Sequence, residues 1–567
     1  MWRSGRLFAR NLGRGLLGLA LALAGCTSSA REEDQILETI AAARSPATSA
    51  TLPETGTAAV QALGSMKSEV VVPPTPLRGA NGLACANGRL FVTAAAGNTV
   101  AEVKADGSVL PLQVPEELSA PDDLAFAADG SLLVTAMRSG SVWRRAASGT
   151  WGAIASSLPG ANGIAVGADG RSFVSQCFFS DAVVELPTSA GSPPRTIAKD
   201  LGCPNGFFVE PSGSLVVPLL EKGKVVRLDP KSGATVELAS GLAKPTAAKQ
   251  DHSGGILVLE SGSGAIRRIA PGTSRAVAPE KVAQLAPGLD NFTFCGESLL
   301  VSSFITGSIQ VFKPWPGEPR TLVPGGLVTP RGLLLRSGEL LVADGVSLKR
   351  IHKDKAPEVL FAVLIDPLPF PVGLAGGAGD VLYVSSPESG SIHRLDLASH
   401  RIELVADALE WPTSIALTPA GDLLVAETGA GKVLRIGPTG QQEDLASGLL
   451  SPIGLALSRE RVLTAEPGGG RVLAIGTDGA PTVVASDLRW PSGLAVDERG
   501  QLFVAEVDAG RVLRIGSDGS TEVIASGLAL DAGEHSLPLP VGLATDAEGG
   551  VLVASPANGS VLRFAER

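Results

Sequence analysis

The feature that most constrains this chain is that it repeats itself. From Pro491 it reads PSGLAVDERGQLFVAEVDAGRVLRI, from Pro412 PTSIALTPAGDLLVAETGAGKVLRI and from Pro452 PIGLALSRERVLTAEPGGGRVLAI. The same frame, more diverged, starts near Ala80, Pro121, Ala161, Pro204, Pro245, Leu289, Pro330, Pro371 and Pro540, giving twelve copies. Each copy holds an apolar run, a Gly or Asp-Gly turn, a run of alternating apolar residues, a second Gly-rich turn, a third run of the type RVLRI, and a short fourth run such as TEVIAS. Four short strands at a period of about 40 residues make a propeller blade, whereas leucine-rich and helical arrays have other periods and no hairpin turns. The 69 Gly and 40 Pro among 567 residues fit this reading, because hairpin turns and blade starts consume both. Aromatic residues are only 4%, so the core must be Val, Leu, Ile and Ala, and aromatic platforms for sugars or single-stranded nucleic acid are excluded. A net charge of -10 without Lys/Arg clusters also excludes nucleic acid as a partner.

The frame P-x-G-[LI]-A, followed by D-G-x-L-[FL]-V-A-[DE] and G-x-[VI]-x-R, resembles the NHL repeat and the related SMP-30/gluconolactonase/strictosidine-synthase propellers. The resemblance covers about residues 80 to 567 and implies an all-β fold of two tandem six-bladed β-propellers, twelve four-stranded blades in all. It does not fix a function, since these families include lactonases, lyases and binding modules.

Strand counting predicts how the rings close. The chain ends at SVLRFAER, after the third strand of the twelfth copy, so that blade lacks its outer strand. An unpaired sheet edge is a hazard that propellers usually cover with a strand from elsewhere in the chain. Two spare segments exist: SEVVV at Ser68 to Val72 and RTLVPG from Arg320. The N-terminal segment is expected to finish blade six and the segment near Arg320 to finish blade twelve. A five-plus-seven split satisfies the same count; six blades match the families resembled. The expected domains are 1-25 signal peptide, 26-65 tether, 66-313 first propeller and 314-567 second propeller.

Arg3, Arg6, Arg10 and Arg14, with no acid among them, precede the apolar run Gly15 to Ala24 and then Cys26. This is a secretory layout. LAGC resembles the lipobox of bacterial lipoproteins, which implies cleavage before Cys26, its lipidation, and a place in the cell envelope; Thr27 resembles the outer-membrane sorting signal. A membrane is then a partner through the lipid anchor only.

First-strand starts and second-to-third-strand turns open on one rim, where ligands of these families enter. The first-ring anchors are Asn81, Asp122, Asn162, Asn205, Thr246 and Asn291; the second-ring anchors are Arg331, Val372, Thr413, Ile453, Ser492 and Val541. The first mouth therefore offers the oxygen ligands that a hard cation such as calcium prefers, while the second is mostly small or apolar. Its ligand-binding candidates are Asn81, Asp122, Asp123, Asn162, Asn205 and Asn291, with Asp290 alongside, and the partner is a small-molecule or protein ligand. Resemblance to SMP-30-type lactonases implies metal ligands at Asp122, Asn162 and Asn205. Asn205 stands where that family has its general-base Asp, and Asn81 where it has Glu. A carboxamide accepts no proton at neutral pH, which counts against the family's hydrolysis. The leading expectation is therefore a binding or interaction scaffold, and the alternative is an SMP-30-like metal-dependent hydrolase of lactones or small esters.

Asp344, Glu427, Glu466 and Glu506 are each followed five residues later by Lys349, Lys432, Arg471 and Arg511, and read as exposed hairpin pairs rather than catalysts. The His residues, 252, 352, 393, 400 and 535, show no metal-ligand spacing; His535 lies in a lengthened loop before the last copy that could cover the second channel. Cys177 and Cys203 fall on one rim of neighbouring blades and are expected to form a disulfide, since an exported chain can oxidise them. Cys85 and Cys295 hold the same position, four residues after Asn81 and Asn291, and become neighbours only if the first ring closes at six.

Overall fold

The computed structural model describes residues 60–187, 192–458, 461–476, 479–531 and 538–567. The expected signal peptide, lipidated Cys26, most of the tether, and His535 lie outside the described residues. Among these residues the strands form twelve antiparallel sheets, eleven of four strands and one of five, and the one helical element is a single turn at Pro467–Gly469. In sheet after sheet one sequence copy lays down four strands in order, as alternating runs joined by tight turns require. No helix among the described residues is long and apolar enough to cross a membrane.

Sheets one to six lie in a compact unit spanning Thr75–Val328 with Leu364–Asp366. Its core is a series of apolar clusters, one between each successive pair of sheets. The cluster of Leu83, Val92, Leu300, Ile309 and Val323 packs sheet six against sheet one and closes the series into a ring. Hydroxyls on the second strands knit the same ring. Thr135 Oγ1 receives Asp123 N–H and donates to Asn162 O of the next sheet, at 2.9 and 2.5 Å. Thr93 likewise bonds Asp122 O, and Ser302 in sheet six bonds Asn81 O in sheet one across the closure.

Sheets seven to twelve belong to the second unit, residues 60–74, 329–363 and 367–567. Here the glycine of the P-x-G frame has a clear cause. A Cβ on Gly493 would lie 1.9 Å from Val541 O, and one on Gly454 2.0 Å from Ser492 O, so neighbouring inner strands approach too closely for any side chain.

The expected strand exchange is wrong. Pro319–Val323 completes sheet six, pairing with Ile309–Phe312. Met66–Val72 instead pairs with Ser560–Glu566 and completes sheet twelve. The physical reason is loop closure: the segment near Arg320 follows the third strand of sheet six through a short turn, and pairing there costs far less chain entropy than pairing with the distant terminus. Both of these pairings cross the expected division at residue 313/314. The tether also ends earlier than expected, because Gln61–Ala62 pairs with Thr521–Ser526 as the fifth strand of sheet eleven.

The hairpin acids are not exposed trim either. Asp344, Glu466 and Glu506 are fully buried and Glu427 nearly so. One oxygen of each accepts a backbone N–H of the preceding blade entry, from Thr329, Leu450, Arg489 and Glu410 respectively. The other faces the base five residues on, and Lys349 is itself fully buried against Asp344 at 2.6 Å. The acids sit at the end of the second strand, where the returning chain covers them, so the pairs fasten blade entries instead of decorating hairpins.

Candidate functional site

The polar mouth of the first unit is built by β-bulges. In sheet one, Ala80 pairs with Ala94 and Leu83 with Val92, so Asn81 and Gly82 together oppose Thr93. Asp122 and Asp123 do the same in sheet two, and Asn162 and Gly163 in sheet three. A bulge turns its residues out of the ladder, here toward the axis. In sheet six the bulged pair is Asp290 and Asn291. The expected anchor is thus displaced by one: Asp290 occupies the level of Asn81, Asp122 and Asn162, and Asn291 the level below, beside Asp123. Sequence likeness aligned Asn with Asn, and only the pairing reveals the register.

That lower level closes the axis. Asn291 Nδ2 donates to Asp123 Oδ1 at 3.0 Å, linking sheets six and two. Asp123 also accepts Leu124 N–H at 2.9 Å and Ile164 N–H at 3.1 Å, so both of its oxygens are engaged. A Cβ on Gly82 would lie 2.5 Å from Asp123 Oδ1, and one on Gly206 3.3 Å from Asn291 Nδ2. Beneath, Lys249 reaches from sheet five to Leu83 O of sheet one at 3.2 Å. Asp123, Asn291 and Lys249 form a floor in which the side-chain oxygens of Asp123 and Asn291 are engaged with protein donors.

Above the floor the expected residues divide. The side-chain oxygens of Asn205 and Asn291 accept the N–H of the following residue, at 2.9 and 2.8 Å, and that of Asn81 accepts Ala95 N–H at 3.3 Å. Asn162 is 3% exposed, and its buried Oδ1 has no hydrogen-bond partner among the described residues. The carboxylates of Asp122 and Asp290 accept no hydrogen bond among the described residues either. Three groups are therefore open, Asp290 among them, whereas the side-chain oxygen of Asn205 is engaged. Thr246 turns its hydroxyl to Leu289 O at 3.4 Å.

Burial pushes Asp122 well above the usual carboxylate range, with Asp290 and Asp123 adding to the shift. Burial also raises Asp290, to about 7, with Asp123 raising and Lys249 opposing. Asp123 is raised by burial against the pull of Lys249 and its own hydrogen bonds. Burial lowers Lys249, against Asp123 and Asp290. Asp290 and Lys249 are half-buried as whole residues, and loss of hydration at their charged groups is the first cause of both shifts.

The open donors, two carboxylates and a carboxamide oxygen, are of the chemical type that a hard divalent cation prefers. Among the described residues no group of three or more His, Cys, Asp or Glu is placed to hold a metal, so any such site depends on Asn162. Lys249 was not anticipated. Its signal is a lysine inside PTAAKQ, at the strand level that holds Ala84, Ala125 and Ala165 in sheets one to three.

Two disulfides bracket the mouth. Cys177 is joined to Cys203, Cα atoms 4.4 Å apart, between sheet three and the entry of sheet four. Cys85 is joined to Cys295, Cα atoms 5.4 Å apart, between sheets one and six.

No family model matches the sequence, and no curated protein matches it. Solved structures similar to the chain include the virginiamycin B lyase from Staphylococcus aureus, at 14% identity over 65% of this chain and 96% of that one, TM-score 0.29. They also include a nidogen/laminin complex, at 18% identity over 40% of this chain and 88% of that one, TM-score 0.34. A protein described as a gluconolactonase is 16% identical over 47% of this chain and 99% of that one, TM-score 0.36. Likenesses this distant assign no activity, and the fold rests on the strand pairing.

Proposed function

We propose that the chain is an exported, lipid-anchored protein of the bacterial cell envelope, made of two six-bladed β-propellers, whose first ring is a ligand-binding module. One observation carries this: Asp122, Asp290 and Asn162 leave their oxygens open above a closed polar floor. A blind mouth lined by open acceptors suits a ligand that brings positive charge or hydrogen-bond donors, and a divalent cation, calcium first, is the simplest such ligand. Asp122, Asp290 and Asn162 would hold it, and when bound it would polarise a ligand oxygen. The second ring has no comparable set, and we assign it the role of an interaction scaffold.

Titration calorimetry of the purified protein with Ca²⁺, before and after chelation, tests the site. Binding that is lost in Asp122→Ala and weakened in Asn162→Ala supports it. Ca²⁺ binding that survives both substitutions places the ion elsewhere.

A second reading, hydrolysis of lactones or small esters, is favoured by one observation. Asp290, raised to about 7, and Asp122, also pushed up by burial, form a pair of buried carboxylates of the kind that acid–base chemistry uses. Asp290 rather than Asn205 would be the base. Turnover of a lactone panel that rises through pH 7 and disappears in Asp290→Asn supports this reading; no turnover by the Ca²⁺-loaded protein leaves the binding module alone.

A further inference from the structure

We infer that the Cys85–Cys295 disulfide is a redox clasp on the first mouth, so that its oxidation state sets whether the mouth is held in binding geometry. The inference deepens the ligand-binding reading and rests on it for its consequence, but the clasp itself stands on strand geometry.

The first unit closes between sheets one and six, and its own fourth strand completes sheet six, so no strand from the far end of the unit is woven into the seam. Contacts that span the seam include the apolar cluster around Leu83 and Leu300, the Ser302 hydroxyl on Asn81 O, and the disulfide. The disulfide joins the two strands that carry the site. Ala80–Ala86 holds Asn81 at one end and Cys85 at the other; Leu289–Cys295 holds Asp290 and Asn291 at one end and Cys295 at the other. Cys85 lies four residues from Asn81 and Cys295 five from Asp290 on the same strands, so the bond fixes the separation of Asp290 from Asn81 and aims Asn291 at Asp123.

The two disulfides differ in burial: Cys177 and Cys203 are buried, at 0% and 3% exposure, whereas Cys85 and Cys295 are both half-buried. The step is thiol–disulfide exchange with a dithiol. One thiolate of the dithiol attacks a sulfur of the protein disulfide and releases the other protein thiolate; the second thiolate then displaces the mixed disulfide. Two electrons pass to the protein, which gains two thiols after proton uptake, and the dithiol leaves as its own disulfide. A seam bounded by a 210-residue separation then loses its covalent link while its noncovalent contacts remain.

The test uses the whole protein under native conditions with graded dithiothreitol, followed by alkylation and peptide mass spectrometry. We expect Cys85 and Cys295 to be alkylated first, with Cys177 and Cys203 protected. At that point amide exchange in strands 80–86 and 289–295 should rise at least tenfold, and strands of sheets three and four should stay unchanged. Ca²⁺ affinity, measured in the oxidised and selectively reduced protein, should fall at least tenfold. Cys85→Ser should reproduce the reduced state. Unchanged exchange in the two strands, or loss of protection throughout the unit, overturns the clasp. If Ca²⁺ binds neither form while the two strands loosen as expected, the clasp stands and the binding reading falls. If Ca²⁺ binds both forms equally, the clasp does not govern the mouth and the inference fails.

Discussion

Lys244 enters sheet five with φ +55°, in the left-handed region that L side chains avoid. Its counterparts at other blade entries of the first unit are Gly79, Gly160 and Gly288, and the same conformation is imposed on Ala120 and Cys203. The conformation belongs to the turn, because the carbonyl of this residue accepts a bond from the second-to-third-strand turn, as Lys244 O does from Ser261 N–H at 3.0 Å. Left-handed backbone costs a non-glycine residue about 1–2 kcal/mol, part of which is returned because glycine is more disordered when unfolded. Lys244→Gly should therefore raise the unfolding free energy by about 1 kcal/mol in urea denaturation. Gly160→Ala should do the reverse and cost more than about 2 kcal/mol, since its Cβ would fall 2.1 Å from Cys177 O. A second residue-scale prediction concerns pH. Asp290 is raised to about 7 from an ordinary value of 3.8, and Asp122 is raised as well, so between about 4 and 7 the folded chain binds protons the unfolded chain has released. Their contribution is full below pH 4 and is lost as pH rises through 7. Glu102 has the opposite sign: held at about 2, first by its hydrogen bond to Arg89 and then by Lys104, it stabilises above 4.5 and loses this as pH falls toward 2. Thermal melting should thus show stability falling from pH 4 to 7, and Asp290→Asn should flatten that slope.

At the scale of single elements, the buried Asp344–Lys349 pair makes a sharp prediction. Both side chains are fully buried, 2.6 Å apart, and Asp344 also accepts Thr329 N–H at 2.8 Å. Removing one member leaves a buried charge without its partner, so Lys349→Met should cost about 3–5 kcal/mol. The double variant Asp344→Leu/Lys349→Met should recover much of that in equilibrium denaturation, short of full recovery because the Thr329 N–H loses its acceptor. If the double variant is as unstable as the single one, the charge is not the cause. These elements also show what a sequence can disclose. The four-strand copies were legible because hairpin turns and alternating runs are local. The Asp-to-base spacing of five was legible too, but its burial was not, because what covers Asp344 is the blade entry fifteen residues upstream. The bulge at Asp290 and Asn291 was hidden for a similar reason: LDNFTF offers two adjacent polar residues, and only pairing with Ser303 and Val301 decides which one stands level with Asp122. Lys249 was visible in principle, as a lysine where neighbouring copies carry alanine.

For the whole molecule, the decisive relation is between the chain's two ends. Counting strands correctly showed that the last blade lacks one, but it took the segment near Arg320 as spare when a short turn makes it the fourth strand of sheet six, leaving Met66–Val72 to complete sheet twelve. The result is asymmetric. The first unit completes every sheet from its own consecutive strands, while the second depends on Met66–Val72, with Gln61–Ala62 added to the adjoining sheet. Deleting residues before Thr75 should therefore leave the first unit's melting transition where it is and lower that of the second. The loss has two sources: the ladder from Met66 to Val72 along Ser560–Glu566, and the apolar cluster that Met66 joins with Phe564, Val553 and Leu562. The truncated protein should also self-associate, because the strand Ser560–Glu566 would present an unpaired edge. Differential scanning calorimetry with amide exchange checks both parts. Exchange should accelerate in sheets eleven and twelve and stay unchanged in sheets one to six. An equal loss in sheet six would mean that the terminus supports the first ring after all, and would restore the closure expected from strand counting alone.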